Sequence, residues 1–267
     1  MAPTPQFYYD GNAMAMLTSA SNPLLKDVRR AIARGALTSQ GLLVAETFHL
    51  LEEAVRSKCQ VPIILAAEDA VHRLLEGALK VTRVARPLFR DLRGAETAQG
   101  VIALVRPPQW KLEDLFSGVP LLVVLDGIQD PGNAGAIARA AEAFGSTGMV
   151  FLKGSVSPFN TKTIRASAGS LFRLPFLAGL DPGRVNTELH QRGLCIYATG
   201  PHGSLTPDRA ALRGPSALVI GSEAHGIGDA WSRSIKLRIP TQGVESLNAA
   251  LAAAVLLYEA SRQRTAA

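Results

Sequence analysis

The spacing of apolar positions alternates along the chain between the period of a helix and that of a strand. In 22-NPLLKDVRRAIARG-35, Leu24, Leu25, Val28 and Ile32 recur on one helical face, Asn22 and Pro23 mark a start, and Gly35 marks a stop. A short strand is expected at 42-LLVAE-46, a helix over 47–56, a strand at 61-VPIILAA-67, a helix over 68–76 and a strand at 100-GVIALV-105. This alternation predicts a small α/β unit, closed by the proline pair of 106-RPPQW-110, which suits neither helix nor central strand. Beyond it, 120-PLLVVLDGI-128 is apolar without alternation, the mark of a parallel strand covered on both faces. The chain then turns through 129-QDPGN-133 into a helix ending near Gly145. Strands at 148–152, 194–198, 217–220 and 235–239 follow, with helices around 161–168 and 184–192 and a last helix from Ser246 to Arg262. A mostly parallel sheet with two covered faces is predicted. The expected divisions are an extension over 1–18, a small α/β domain over 19–106, a linker over 107–119 and a larger α/β domain over 120–267.

Composition narrows the class. The chain has 267 residues, 47% of them hydrophobic, enough to bury one large core or two smaller ones. Its 28 Lys and Arg against 22 Asp and Glu give a net charge of +6, which suits a polyanionic partner without demanding one. Residues 1–110 carry 13 basic and 10 acidic side chains and residues 111–267 carry 15 and 12, so an anion-binding patch has to be assembled by folding. Cys59 and Cys195 make neither a disulfide framework nor a CxxC pattern, and five scattered histidines offer no metal site. The start lacks the basic and apolar pattern of a secretory signal, and the Ala/Leu-rich run 249–257 is too short to span a bilayer. A cytoplasmic protein without a membrane partner is expected.

The last helix carries alanine at 249, 250, 252, 253 and 254 and no charge before Glu259. Small side chains let another backbone approach closely, so this helix either packs on its own sheet or also forms a subunit interface.

Three polar blocks follow strand ends. In 133-NAGAIAR-139, Asn133 either caps a helix or faces a ligand, and Arg139, among small apolar neighbours, has to reach solvent or an anion. The helix start beside Gly132 suits a phosphate. In 220-IGSEAHGI-227, Glu223 lies between Gly221 and Gly226 just past a strand, where open α/β sheets bind ligands; it either accepts from hydroxyl or amino donors or caps a turn, and His225 is a rim side chain. In 239-IPTQGVESLNAA-250, Ser246 is a candidate helix cap and Asn248 a residue of the exposed first turn, free to orient a substrate. Neither GxGxxG nor GxxxxGK[ST] occurs, which argues against hydride and nucleotide-triphosphate chemistry.

Taken in order, the three blocks resemble the signature motifs of the SpoU, or TrmH-like, RNA ribose 2′-O-methyltransferases of the SPOUT superfamily. Asn133, Gly135 and Arg139 match the first motif, Gly221, Glu223 and Gly226 the second, and Ile239, Pro240, Ser246, Leu247 and Asn248 the third. The segment 161-TKTIRASAGSLFRLP-175 resembles the family's intervening stretch, and 22-NPLLK-26, 43-LVAE-46, 86-RPLFRDL-92 and 98-AQGVIALV-105 resemble its small N-terminal domain. Thr47 stands where the family usually has glycine, and Thr241 where methionine is common.

The resemblance implies an α/β fold in which a trefoil-knotted SPOUT methyltransferase domain follows a small N-terminal α/β substrate-binding domain. It also implies S-adenosylmethionine as cofactor, no metal, and catalysis at a homodimer interface. Thr199, Gly200, Gly221, Ile239, Ser246, Leu247 and Asn248 are the implied cofactor residues. Arg139, Asn133, Glu223 and Asn248 are the implied catalytic set, with Arg139 positioning and polarising the ribose oxygen. The implied substrate is structured RNA, ribosomal ahead of transfer RNA; a tRNA ribose methyltransferase and a non-catalytic RNA-binding or ribosome-assembly factor are the alternatives. Arg29, Arg30, Arg34, Arg86, Arg90, Arg93 and Arg165 are the candidates for holding the RNA backbone, against the plainer reading of solvated helix and loop faces.

Overall fold

The computed structural model describes residues 16–70, 81–92, 100–222 and 226–265. These form two compact units, one made of Met1–Pro108 with Phe159–Phe172 and the other of Gln109–Pro158 with Arg173–Ala267.

In the first unit, helix α1 (Pro23–Arg34) is built as its sequence demands. Asn22 accepts from the amides of Leu24 and Leu25, Pro23 opens the first turn, and Gly35 ends the helix in the left-handed region. Strand β1 (Leu43–Ala45) leads to α2 (Phe48–Arg56), whose start is capped by Thr47. Strands β2 (Ile63–Ala67) and β3 (Val81–Val84), helix α3 (Arg86–Leu92) and strand β4 (Val101–Val105) complete a four-stranded sheet in the order β1-β4-β2-β3. Its β2–β3 pair is parallel and its other pairs antiparallel. Leu25, Val28, Leu65, Val84, Phe89 and Leu104 meet in its core.

The helix expected over 68–76 is not what the described part shows, since residues 68–70 form a turn; residues 71–76 lie outside the described residues. Strand β3 and helix α3 were not expected from periodicity. Four residues, VTRV, are too few to set a period, and Pro87 hides the helix, although proline is tolerated in a first turn.

The second unit is a six-stranded sheet built from β5 (Leu121–Asp126), β6 (Gly148–Leu152), β7 (Phe176–Leu180), β8 (Cys195–Thr199), β9 (Ser216–Gly221) and β10 (Ile235–Leu237). Their order is β10-β8-β9-β5-β6-β7, and every pairing is parallel, as the unalternated apolar runs predict. Helix α4 (Pro131–Ala143) follows β5, and α5 (Thr161–Ala166) lies in the stretch that joins the first unit, beside β1. Helix α6 (Pro182–Gln191) and the fully buried Trp231 cover one face of the sheet, over Leu122, Val124, Val150 and Val219. Helix α7 (Ala249–Thr265) packs against α4 and β9. Full burial of each large aliphatic side chain in these layers contributes about 2 kcal/mol. Strand β7 was missed by pattern reading because it is an edge strand, FLAGL, with only its first residue buried.

The far end of α7 is tied down by Gln263, which accepts from the Leu212 amide and donates to the Pro207 carbonyl, and by Arg264. Arg264 donates from Nε to the Leu212 carbonyl at 2.8 Å, from Nη1 to Val119 at 2.8 Å, and from Nη2 to Pro120 at 3.0 Å and Gly214 at 2.7 Å. Burial pulls its pKa below the usual arginine value. One turn earlier, hydrogen bonds from Arg262 and Gln263 hold the Glu259 carboxyl down to about 2.

Candidate active site at the carboxyl edge of the parallel sheet

Because the strands are parallel, the carboxyl ends of β10, β8, β9 and β5 emerge along one edge. Thr199 stands opposite Leu237, and Asp126 opposite Gly221. After β5 the sheet grows one way through β6 and β7, and the chain then returns to add strands on the other side, which makes a crevice of the kind where such sheets bind ligands. Thr199, Gly200 and Gly221 therefore share this edge, and Ile239 follows two residues after β10. Thr199 Oγ1 donates to the Val219 carbonyl at 3.0 Å, and the Gly200 amide donates to Leu237 at 3.0 Å. A Cβ added to Gly200 would meet nothing within 4 Å, so open space lies directly against backbone there.

The first and third sequence blocks meet by a direct hydrogen bond. Asn248 Nδ2 donates to Asn133 Oδ1 at 3.0 Å across 115 residues of sequence. Asn248 also caps α7, its Oδ1 accepting from the amides of Ala250 at 2.9 Å and Leu251 at 3.3 Å. The helix thus starts at Ala249 rather than Ser246, and Ser246 is not its cap; Ser246 and Leu247 belong to the preceding loop. Nor is Asn133 the cap of α4. Asp130 has that role, accepting from the Asn133 amide at 2.7 Å, which leaves the Asn133 side chain available to Asn248. Asp-Pro at a helix start was the overlooked signal.

Farther along, the Phe144 and Tyr258 rings meet edge to face at 5.8 Å, so α4 and α7 run parallel with their starts side by side. Both starts carry their own caps, Asp130 on α4 and Asn248 on α7.

The second block is shaped by its glycines. A Cβ on Gly221 would lie 2.4 Å from the carbonyl carbon and oxygen of Gly226, and Gly226 has φ +65°. Ser222 and Gly226 exchange backbone hydrogen bonds of 3.0 and 2.8 Å at the end of β9. Glu223 and His225 lie outside the described residues.

Arg139 is exposed, about 9 Å along α4 from Asn133 at 1.5 Å per residue, and it forms no hydrogen bond or ion pair among the described residues. It shares its outward stripe with Gly132, Ala136 and Ala143. On α7 the outward stripe is apolar: Leu251 is 59% exposed, Val255 41% and Tyr258 57%. The opposite stripe of α7, Ala249, Ala253, Leu256, Leu257 and Ala260, is buried.

In the first unit, Arg30 and Arg34 are exposed on α1 and Arg29 is half-buried; α1 packs on α3, which exposes Arg90. Arg86 is exposed but forms an ion pair with Asp69, which offsets its charge. Arg165 is half-buried on α5, and Arg93 lies outside the described residues. Among the described residues, no group of three or more His, Cys, Asp or Glu is placed to hold a metal, and no helix is long and apolar enough to cross a membrane.

Residues 120–258 match the model of the SpoU rRNA methylase family. The chain is 30% identical over 249 residues to the 23S rRNA (guanosine(2553)-2′-O)-methyltransferase RlmP of Bacillus subtilis, covering 92% of this chain and 98% of that one. It is similar in structure to the SpoU methyltransferase AviRb from Streptomyces viridochromogenes in complex with AdoMet, with a TM-score of 0.79, 27% identity and coverage of 92% and 100%. An RNA 2′-O ribose methyltransferase superposes with a TM-score of 0.78 at 32% identity, over 94% of this chain and 100% of that one.

Proposed function

The chain belongs to the SpoU methylase family, and on that premise we infer that it uses S-adenosylmethionine to methylate a ribose 2′-hydroxyl in structured RNA, with ribosomal RNA the substrate ahead of transfer RNA. Its fold is the trefoil-knotted SPOUT architecture with an N-terminal substrate-binding unit, a rare exception to unthreaded topology. The observation that supports the reading most strongly is the Asn133–Asn248 hydrogen bond, which brings two of the three sequence blocks to one point at the carboxyl edge.

The residues at this edge fit the cofactor. Backbone around Thr199, Gly200 and Gly221 offers neutral hydrogen-bonding groups, the open space at Gly200 admits a flat ring against the chain, and the half-buried Ile239 and Leu247 supply apolar walls. Ser246 and Asn248 complete the polar side. When bound, S-adenosylmethionine supplies an electrophilic methyl on a positively charged sulfur. Asn248 is fixed by its cap bonds and by Asn133, so its side chain holds one orientation without a substrate. Arg139 would hold the ribose oxygen and its neighbouring phosphate while the hydroxyl gives up its proton and its oxygen takes the methyl carbon, whose bond to sulfur breaks to leave a neutral thioether. Guanidinium groups are not deprotonated in proteins, so this role is positioning and charge stabilisation, with phosphate the proton acceptor. Glu223 orients the same network.

Arg139 lies away from the Asn133–Asn248 pair of its own chain and beside an exposed apolar stripe. A homodimer formed through the α4–α7 face accounts for both, burying Leu251, Val255 and Tyr258 and bringing Arg139 of one protomer to the site of its partner. Replacing Leu251 and Tyr258 together by aspartate is expected to yield a monomer in sedimentation velocity and to lower methyl transfer by at least about 100-fold, since charge at an interface core is strongly unfavourable. A double variant that stays dimeric would remove this face from the interface.

Exposed Arg30, Arg34 and Arg90, with Arg29 and Arg165, give the first unit the positive surface that an RNA backbone requires. Substrate class is tested by offering the protein ribosomal and transfer RNA from cells lacking it, with labelled methyl donor. Label is expected in ribosomal RNA; label confined to transfer RNA would overturn the assignment.

A further inference from the structure

We propose that Asp126 is a positioning residue for the cofactor pocket, its carboxylate pinning the Gly226–Gly228 turn and through it the Gly221–Ser222 backbone. The inference rests on reading the carboxyl edge as the cofactor site.

Asp126 is the last residue of β5 and stands opposite Gly221 in the ladder. Side chains alternate along a strand, and Leu122 and Val124 face the core under α6, so Asp126 leaves the sheet on that same face. There its Oδ2 accepts from the Gly228 amide at 2.7 Å, a contact spanning 102 residues of sequence. A charged acceptor makes this bond stronger than one between neutral groups.

The stretch from Gly226 to Trp231 is held by the reciprocal Ser222–Gly226 bonds, by Ile227 packed against the core, by Asp126 at Gly228 and by the buried Trp231. Among these, Asp126 is the one that fixes the Gly228 backbone by a hydrogen bond.

Gly228 is itself informative. Its φ is −70°, so the backbone does not require glycine there. A Cβ would instead approach Asp126 Oδ2 to 3.3 Å, so the missing side chain makes room for the carboxylate.

Asp126 is in turn anchored from behind. The Gly127 amide donates to Ser155 Oγ at 3.0 Å, and Ser155 Oγ donates to the Leu125 carbonyl at 2.9 Å, tying this turn to the residues after β6. Beyond the β5–β9 ladder, the carboxylate thus links the turn that leads to Asn133 with the Gly228 backbone.

The test compares the wild-type chain with Asp126→Ala, Asp126→Asn, Gly228→Pro and the Asp126→Ala/Gly228→Pro double variant. S-adenosylmethionine affinity is read by calorimetry and kcat and KM by labelled-methyl transfer. Asp126→Ala is expected to weaken cofactor binding about tenfold, the loss of one hydrogen bond, with kcat at saturating cofactor and the RNA KM changed less than about threefold. Asp126→Asn keeps an acceptor and should restore affinity to within about threefold of wild type. Gly228→Pro removes the donor, and the double variant should be no weaker than the worse single, because both remove the same contact. If Asp126→Ala does not fold, Asp126→Asn and Gly228→Pro still decide the matter.

Unchanged cofactor affinity in Asp126→Ala or Gly228→Pro, or additive losses in the double variant, would overturn the positioning role while the site reading stands. Failure of the wild type itself to bind S-adenosylmethionine would overturn the site reading and the role together.

Discussion

Replacing Arg139 by alanine is expected to slow methyl transfer by about 1,000-fold while S-adenosylmethionine affinity stays within about twofold. The structure separates these two effects. Arg139 is exposed on α4 and bonds to nothing among the described residues, and alanine is the better helix former, so the fold loses little. The proposed cofactor contacts come from other loops, at Gly200, Gly221 and Leu247. What the variant is expected to lose is the cation proposed to stand where charge develops on the attacking oxygen. Lysine at this position keeps the charge but not the planar fork, and an intermediate rate is expected. Calorimetry with cofactor and single-turnover transfer to RNA measure the two quantities separately. Equal activity of Arg139→Ala would remove the residue from the chemistry.

The second large effect is on stability. Arg264→Met should destabilise the protein by about 3 kcal/mol, which for a chain of this size lowers the melting temperature by about 10 °C. Its guanidinium satisfies four carbonyls, from Val119, Pro120, Leu212 and Gly214, that join α7 to the segments entering β5 and β9. Methionine has similar length and supplies no donor, leaving those carbonyls to find water at a half-buried position. Calorimetric melting of the variant checks this, and an unchanged melting temperature would show that water replaces the arginine without cost. Cofactor affinity is expected to persist, because Arg264 lies at the opposite end of α7 from Asn248.

Much of this was legible in the sequence because local chemistry and final structure agree. Asn22, Pro23 and Gly35 bound α1 as their residue types require, and the unbroken apolar run of β5 reports a strand covered on both faces. What failed was local where the deciding partner is distant. Ser246 was the natural cap by proximity to the apolar run, yet Asn248 caps α7, and nothing in the neighbouring sequence announces that its other amide atom meets Asn133. Arg86 reads in the sequence as a candidate RNA contact or a solvated side chain, and only the fold sets Asp69 beside it. Asp126 was invisible as a functional residue because its partner, the Gly228 amide, has no side chain to mark it. Strand β7 was missed because an edge strand with one buried residue has no hydrophobic period to read.

The most direct test digests RNA to nucleosides after incubation with the protein and methyl-labelled S-adenosylmethionine, using ribosomal RNA from a host that lacks this protein. The label is predicted to elute as a single 2′-O-methylated nucleoside, and to be absent with Arg139→Ala. Label on a base, or RNA that binds tightly and acquires no methyl group, would contradict ribose methylation as the function of this site.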